Sequence, residues 1–136
     1  MENMSIIVRY CRNFAERKLK EHDLTFGEQV ILLFLSKHEN VNQDTISKEY
    51  MIDKGMVAKT LHKLEKKGFI RREQNPENKR ENIISLTQNG IEVLNNINAM
   101  FREWHEILYE GISQDEIAIM KRLTEKMAKN ITNKMD

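Results

Sequence analysis

The sequence predicts a mainly α-helical fold that contains one small two-stranded β-ribbon. Apolar residues recur at helical spacing through most of the 136 residues. One Pro and five Gly are too few for the many turns of a β-sandwich or barrel. The only proline lies in a polar, basic stretch between two short segments of extended character. Domains typically hold about 100–150 residues, so we expect a single domain over residues 1–136.

Two helices are predicted before residue 40. A capping-box pattern at residues 25–28 begins the second helix, because Thr25 can accept a hydrogen bond from the third amide while Glu28 reaches back. That helix is apolar on most sides and should lie centrally in the fold. The first helix, over about residues 5–21, is indicated by apolar residues at helical spacing: Ile7, Tyr10, Cys11 and Phe14.

Two shorter helices separated by a tight turn come next. Asn42 can cap a helix over about residues 43–50, and Asp53 can cap another over about residues 54–67, which Gly68 ends. The expected inward residues are Ile46 and Tyr50 in the first helix and Val57, Leu61 and Leu64 in the second, with Lys54, Lys59, His62 and Lys63 outward.

The periodicity changes from helical to extended after Gly68. Residues 69–73 and 82–86 are strand candidates, and residues 74–80 between them form a long polar loop. Two strands joined in this way make a β-ribbon. Helix, turn, helix and ribbon in this order is a winged helix-turn-helix, which we expect over about residues 26–86.

Two further helices are predicted in the last third of the chain. Thr87 can cap the first, which should extend to about Glu110, and a capping-box pattern at residues 113–116 begins the second. Apolar residues at spacings of three and four form a packing seam on each, namely Leu94, Ile97, Phe101, Trp104 and Leu108 on the first and Ile117, Met120, Leu123, Met127 and Ile131 on the second.

The basic residues are concentrated in one segment, although the net charge of the whole chain is only +1. Residues 54–80 carry nine Lys or Arg against three acids, a net charge of +6. The remaining residues carry 13 basic and 18 acidic side chains, a net charge of −5. The electropositive segment is the second helix of the helix-turn-helix together with the ribbon, and this indicates a polyanionic partner.

The basic helix and ribbon have the shape and charge to bind double-stranded DNA. An α-helix fits the major groove of B-DNA, and a basic loop can enter the adjacent minor groove. A winged-helix module that binds protein is the alternative. The residues expected at the DNA are Gln43, Lys54, Gly55, Ala58, Lys59, His62, Lys63, Asn78, Lys79 and Arg80.

Three motifs together resemble the MarR family of bacterial transcription regulators, and the resemblance covers nearly the whole chain. Residues 24–29, Leu-Thr-Phe-Gly-Glu-Gln, are similar to the family's L-T-x-x-Q entry to the second helix, with one extra residue before the glutamine. Residues 52–70 resemble its recognition helix and the following L-E-x-x-G. Residues 75–80, Asn-Pro-Glu-Asn-Lys-Arg, followed by Leu86, Thr87 and Gly90, resemble its wing motif D-P-x-D-x-R and the subsequent L-T-x-x-G.

Four residues depart from the family's pattern. Both wing aspartates are asparagines here, Asn75 and Asn78, and an acid at position 78 would be expected to orient the wing arginine. The usual recognition-helix arginine is Lys59, which cannot make a planar bidentate contact to guanine. A small hydroxyl residue is replaced by Ala58, which can contact a thymine methyl but cannot donate a hydrogen bond. We therefore expect a site preference unlike that of the better-studied members.

The resemblance implies a homodimeric repressor that a small ligand releases from DNA. Its dimerisation helices would be about residues 1–21 and 87–136, whose apolar stripes have no obvious partner inside a small winged-helix core. Two-fold symmetry then predicts a pseudo-palindromic operator with half-sites ~34 Å apart. An aromatic or anionic effector would bind near Phe14 and Arg17. Some family members sense oxidants through a first-helix cysteine, so Cys11 is a candidate redox sensor, against the alternative of a small buried apolar residue.

Motifs of several other protein classes are absent from the sequence. No apolar run approaches the ~18 residues of a transmembrane helix, and residues 1–12 lack the pattern of a secretory signal. One cysteine and four scattered histidines indicate neither an internal disulfide nor a zinc site. No glycine-rich phosphate-binding motif occurs. We expect a cytoplasmic protein that is not an enzyme and uses no cofactor or metal.

Overall fold

The computed structural model describes residues 2–135 and contains six helices and two strands in that range. The chain divides after Phe101 into two compact units. In chain order the elements are α1 (Glu2–Lys20), α2 (Phe26–Lys37), α3 (Gln43–Tyr50), α4 (Lys54–Lys66), β1 (Ile70–Gln74), β2 (Asn82–Leu86), α5 (Gln88–Leu108) and α6 (Gln114–Met135). The predicted mainly α-helical fold with one β-ribbon is confirmed, and the predicted helix ends lie within three residues of these, with both ends of α3 as predicted.

Helix α2 is central in the first unit, as its apolar composition predicts. It contacts α1, α4 and β2. The predicted capping box is present: Thr25 Oγ1 accepts from Glu28 N at 3.2 Å, and Glu28 Oε2 accepts from Thr25 N at 3.0 Å. The core around α2 is formed by buried side chains from every element of this unit, including Leu19, Leu32, Ile46, Leu61, Leu64, Ile84 and Ile97.

Each helix of the helix-turn-helix begins with a polar N-cap residue. Asn42 Oδ1 accepts from Thr45 N at 2.8 Å, and Asp53 Oδ1 accepts from Gly55 N at 2.9 Å. The turn contains Met51, which has a φ of 51° and lies in the left-handed region. The prediction that Tyr50 is buried is wrong, because α3 ends at this residue and leaves it 37% exposed, with its ring edge-on to Phe34.

The β-ribbon is antiparallel and pairs Ile70 with Leu86 at one end and Gln74 with Asn82 at the other. The first strand begins one residue later than predicted. The reason lies in the end of α4, where Phe69 N donates to Leu64 O at 3.0 Å and so closes the helix instead of pairing with β2.

Helix α5 begins at the cap that the sequence predicts, since Thr87 Oγ1 accepts from Gly90 N at 3.1 Å. Along its seam, Leu94 and Ile97 are buried, and the three residues that follow are half-buried: Phe101, Trp104 and Leu108.

The second unit contains α6, which begins with the predicted capping box. Glu116 N donates to Ser113 Oγ at 3.3 Å, and Ser113 N donates back to Glu116 Oε2 at 2.9 Å. The Ser113 hydroxyl also donates to Glu116 Oε2 at 2.7 Å, and the hydroxyl and main-chain hydrogen bonds from Ser113 lower the pKa of the Glu116 carboxyl. Of the apolar stripe along α6, Ile117 is buried, and the other four side chains are exposed: Met120, Leu123, Met127 and Ile131. Within residues 2–135, no helix is both long enough and apolar enough to cross a membrane.

Candidate nucleic-acid interface

Helix α4 divides its side chains between the core and solvent, as the spacing predicts. Val57, Leu61 and Leu64 are at most 1% exposed. Four residues on the opposite side are exposed: Gly55, Lys59, His62 and Lys66. Ala58 lies at the edge between these faces and is half-buried. A basic helix is therefore fixed to the core by one face and presents the other to a partner.

Four of the nine cations in residues 54–80 are held in ion pairs within the protein. These pairs are Lys54 with Asp44 at 2.9 Å, Lys67 with Glu28 at 2.9 Å, Arg71 with Glu73 at 3.2 Å and Arg72 with Glu65 at 2.7 Å. The other five are exposed and have no ion pair within residues 2–135: Lys59, Lys63, Lys66, Lys79 and Arg80. These five provide the positive charge that is free to meet phosphate.

The structure thus distinguishes paired from unpaired cations, which the sequence alone does not. Lys54 was expected at the DNA, and the structure directs its ammonium to Asp44, whose pKa is lowered by the hydrogen bond and the charge of Lys54. Lys66 was not among the expected contacts, yet it is exposed in the last turn of α4. Its positive charge was counted in the basic segment, and its helical spacing from Lys59 and His62 would have placed it on the same exposed face of the helix.

Helices α3 and α4 are joined at the end where DNA contacts were expected. Gln43 Nε2 donates to the main-chain oxygen of Lys54 at 3.2 Å. The Asp44 and Lys54 side chains pair beside this bond. Gln43 therefore supports the first turn of α4, in addition to its expected position at the DNA.

We call the β-ribbon over residues 70–86 the wing, and its tip is shaped by asparagine side chains. Asn75 Oδ1 accepts from Glu77 N at 3.0 Å, and Asn78 Oδ1 accepts from Arg80 N at 3.2 Å. Where an acid at position 78 was expected to orient the arginine side chain, Asn78 fixes the main chain of Arg80. The charged groups of Lys79 and Arg80 remain exposed at the end of this ordered turn.

The base of the wing is attached to α4. Arg72 Nε lies 2.7 Å from Glu65 Oε2, in an ion pair whose N–H is not aligned for a hydrogen bond. The Arg72 side chain is only 24% exposed, so water screens this pair less than the other pairs at the surface. The wing and the exposed face of α4 therefore belong to one connected surface.

The two residues predicted to bind an effector, Phe14 and Arg17, both belong to α1. Arg17 borders a shallow, open depression along α1 together with Tyr10, Asn13, Glu16 and Lys20. Phe14 is half-buried against the core, with the Lys18 ammonium 5.7 Å from the centre of its ring.

Cys11 is half-buried on α1, and its burial raises the pKa of the thiol. The two neighbouring arginines are directed elsewhere. Arg12 Nε pairs with Glu16 at 2.8 Å, and the Arg9 guanidinium lies 5.5 Å from the centre of the Tyr10 ring. Because burial raises the pKa of Cys11, the protonated thiol is favoured over the thiolate that a redox sensor requires.

Comparisons with known proteins show similarity to one family of regulators. The sequence model of the MarR family matches residues 24–82. The HTH-type transcriptional regulator BilQ of Clostridioides difficile is 32% identical over 114 residues, which cover 82% of this chain and 77% of BilQ. A crystal structure of MarR superposes with a TM-score of 0.86 at 32% identity, over 97% of this chain and 90% of that one. A crystal structure of the S. aureus MepR–DNA complex superposes with a TM-score of 0.81 at 26% identity, over 95% of this chain and 96% of that one.

Proposed function

The chain belongs to the MarR family of DNA-binding transcriptional regulators, and on that premise we propose that it acts as a homodimeric repressor which a small ligand releases from its operator. The observation that carries the proposal is the set of five exposed cations on α4 and the wing that no acid of the described chain neutralises. A regulator of this kind works where the DNA lies, which in a bacterium is the cytoplasm.

The exposed face of α4 is proposed to enter the major groove. Lys59 and His62 would meet base edges there, and Ala58 would contact a thymine methyl. Gly55 lacks a side chain at the exposed first turn, so the main chain can approach the DNA closely. Lys63 and Lys66 are placed along the helix to bind phosphate.

The supporting contacts of this surface come from α3 and the wing. Gln43 and Lys54 are proposed to act at the start of α4, where their bonds to each other and to Asp44 hold the helix end. In the wing, Asn78 shapes the turn that presents Lys79 and Arg80 to the adjacent minor groove.

The dimer is proposed to form through apolar side chains that the single chain leaves exposed. On α1 these include Ile6, Ile7, Val8 and Tyr10, each at least 42% exposed. The stripe on α6 is at least 36% exposed beyond Ile117. Stripes of this kind on two helices are typical of a subunit interface. The dimerisation helices would be about residues 1–21 and 87–136, and the operator would be a pseudo-palindrome.

The effector is proposed to be a small aromatic or anionic molecule. Phe14 and Arg17 are its candidate contacts, because an aromatic ring and a guanidinium suit those two features. Such a ligand releases the operator if it binds better to a dimer whose two α4 helices no longer match the half-sites.

Duplex selection combined with a salt titration tests the proposal. Duplexes that the protein selects from a random pool should converge on an inverted repeat with its half-sites about one helical turn apart. The logarithm of the binding constant should then fall with the logarithm of salt concentration, with a slope of about −0.9 for each phosphate contacted. A direct-repeat or single-site consensus would contradict the homodimer, and a slope near zero would favour a module that binds protein.

A further inference from the structure

Lys67 connects three parts of the first unit at the end of α4. Its Nζ lies 2.9 Å from Glu28 Oε2 and 3.1 Å from Glu28 Oε1. The same ammonium donates to the main-chain oxygen of Asp23. Asp23 belongs to the loop that leads from α1 into α2, and Glu28 belongs to the first turn of α2. One side chain at the end of α4 therefore binds both the loop that follows α1 and the start of α2.

The Glu28 side of this ion pair is enclosed. Glu28 is 1% exposed, and its carboxylate also accepts from Thr25 N at 3.0 Å. The Lys67 side chain is 24% exposed. Removing a carboxylate from water is costly, and the pair recovers that cost only while both partners keep their positions. The contact is therefore sensitive to the orientation of α4 relative to α1 and α2.

A buried ion pair adds little net stability compared with apolar side chains of similar size, and in several proteins it defines geometry instead. We infer that Glu28 and Lys67 are positioning residues, which fix the orientation of α4 relative to α1 and so set the half-site spacing that the dimer accepts. This inference rests on the proposed function, in which α1 is a dimerisation helix and α4 enters the major groove.

The length of α4 makes the position of this contact important. Its 13 residues span about 20 Å, so a tilt of about 10° at the Lys67 end moves the other end by about 3 Å. One inserted base pair moves a half-site by about 3.4 Å and turns it by about 35°. Such a tilt matches the displacement of one base pair and part of its rotation, so a change of orientation too small to unfold the protein is enough to weaken the discrimination between spacings.

The test compares binding to the selected operator with binding to two versions of it, one with a base pair inserted between the half-sites and one with a base pair removed. The main variant is Glu28→Gln with Lys67→Met, which removes both charges together and leaves no buried charge without a partner. Lys37→Met is the matched control, because it removes one cation from an exposed position at the end of α2, outside the proposed DNA-binding surface. Thermal unfolding of each protein is recorded alongside.

Wild type and Lys37→Met should both prefer the selected spacing by about 10-fold or more, a typical effect of one disrupted contact position. The double variant should unfold within a few degrees of wild type and discriminate by less than about 3-fold. A folded double variant that discriminates as sharply as wild type would overturn the inference. If the double variant does not fold, Glu28→Gln alone is judged by the same criterion, since glutamine retains the capping box.

The wild-type measurements separate this inference from the function on which it rests. If wild type binds DNA without any preference for spacing, the homodimeric mode of binding is wrong, and the role of Glu28 and Lys67 in it is wrong as well. If wild type does discriminate between spacings, the comparison of wild type with the variants tests the role of Glu28 and Lys67 alone.

Discussion

The main-chain oxygen of Phe69 occupies the space in which a side chain at Gly90 would begin. A Cβ at Gly90 would lie 2.1 Å from that oxygen. The same oxygen accepts from Thr87 N at 3.0 Å, and Thr87 Oγ1 donates to the main-chain oxygen of Gly68. The first turn of α5 therefore packs directly on the main chain that connects α4 to the wing, and only glycine permits this approach.

Gly90→Ala should destabilise the protein by about 3 kcal/mol, because main-chain atoms cannot move away from the added methyl as a flexible side chain could. Urea unfolding measures this change. Gly27→Ala is the control, since a Cβ there meets nothing within 4 Å. It should leave stability unchanged or raise it by up to about 1 kcal/mol through helix propensity. Equal losses in the two variants would contradict the close contact at Gly90.

Met51→Gly should stabilise the protein. The left-handed conformation costs about 1–2 kcal/mol for a residue with a side chain, and glycine removes that cost. Part of this gain is offset because glycine increases the conformational entropy of the unfolded chain. The Met51 side chain is 84% exposed and gives up little packing when it is removed. A gain of about 0.5–1 kcal/mol in urea unfolding is expected. A loss of stability would show that the exposed methionine makes a stabilising contact.

Arg80→Ala should weaken DNA binding and reduce the salt dependence by about one phosphate contact, or ~0.9 in the slope. The measurement is fluorescence anisotropy of a labelled operator over a range of salt concentrations. Arg102→Ala removes the same charge from an exposed position outside residues 54–80 and should leave the slope unchanged. If both variants behave alike, the wing does not contact the operator.

Lys59→Arg should change the preferred sequence. An arginine can bind guanine with two parallel hydrogen bonds, which discriminate against other bases by about 1–3 kcal/mol. Selection from a random duplex pool should therefore enrich guanine at one symmetric position of each half-site. Lys66→Arg, in a proposed phosphate contact, should leave the consensus as in wild type. An unchanged consensus in both would place Lys59 away from the bases.

Cys11 should react slowly with iodoacetamide near neutral pH. Burial raises the pKa of its thiol, so at any pH below that pKa the folded protein holds a smaller fraction of thiolate than an unfolded chain does. The alkylation rate should rise with pH along a curve displaced to higher pH than that of the urea-unfolded protein. Peroxide should then affect operator binding equally in wild type and Cys11→Ser. A faster reaction in the folded state would revive the redox-sensor alternative.

Local signals in the sequence were sufficient for most of the fold. Caps such as Thr25, Asn42 and Asp53 define helix starts with residues three or fewer positions away, so the sequence reveals them directly. Counting charges identified the basic segment, because this count also depends only on residues close together in the sequence. Tyr50 was placed wrongly because its burial depends on where the neighbouring turn directs the chain, and not on spacing within α3.

Three of the four charge pairs in the basic segment could not be predicted, because each joins residues of different secondary-structure elements. Lys67 and Glu28 are 39 positions apart and meet only after α2 and α4 pack together. Lys54 and Asp44 belong to different helices. The sequence gives each lysine the same positive charge, and only the folded arrangement shows which of them remain available to DNA.

The wing turn has a consequence for the behaviour of the protein in acid. Its side-chain acceptors, Asn75 and Asn78, are amides. Amide oxygens do not titrate, whereas a carboxylate at either position would lose its charge as the pH fell through its pKa. The hydrogen bonds that present Lys79 and Arg80 therefore persist at low pH, and neither asparagine offsets the charge of these two cations. Acidification leaves these two hydrogen bonds at the tip of the wing intact.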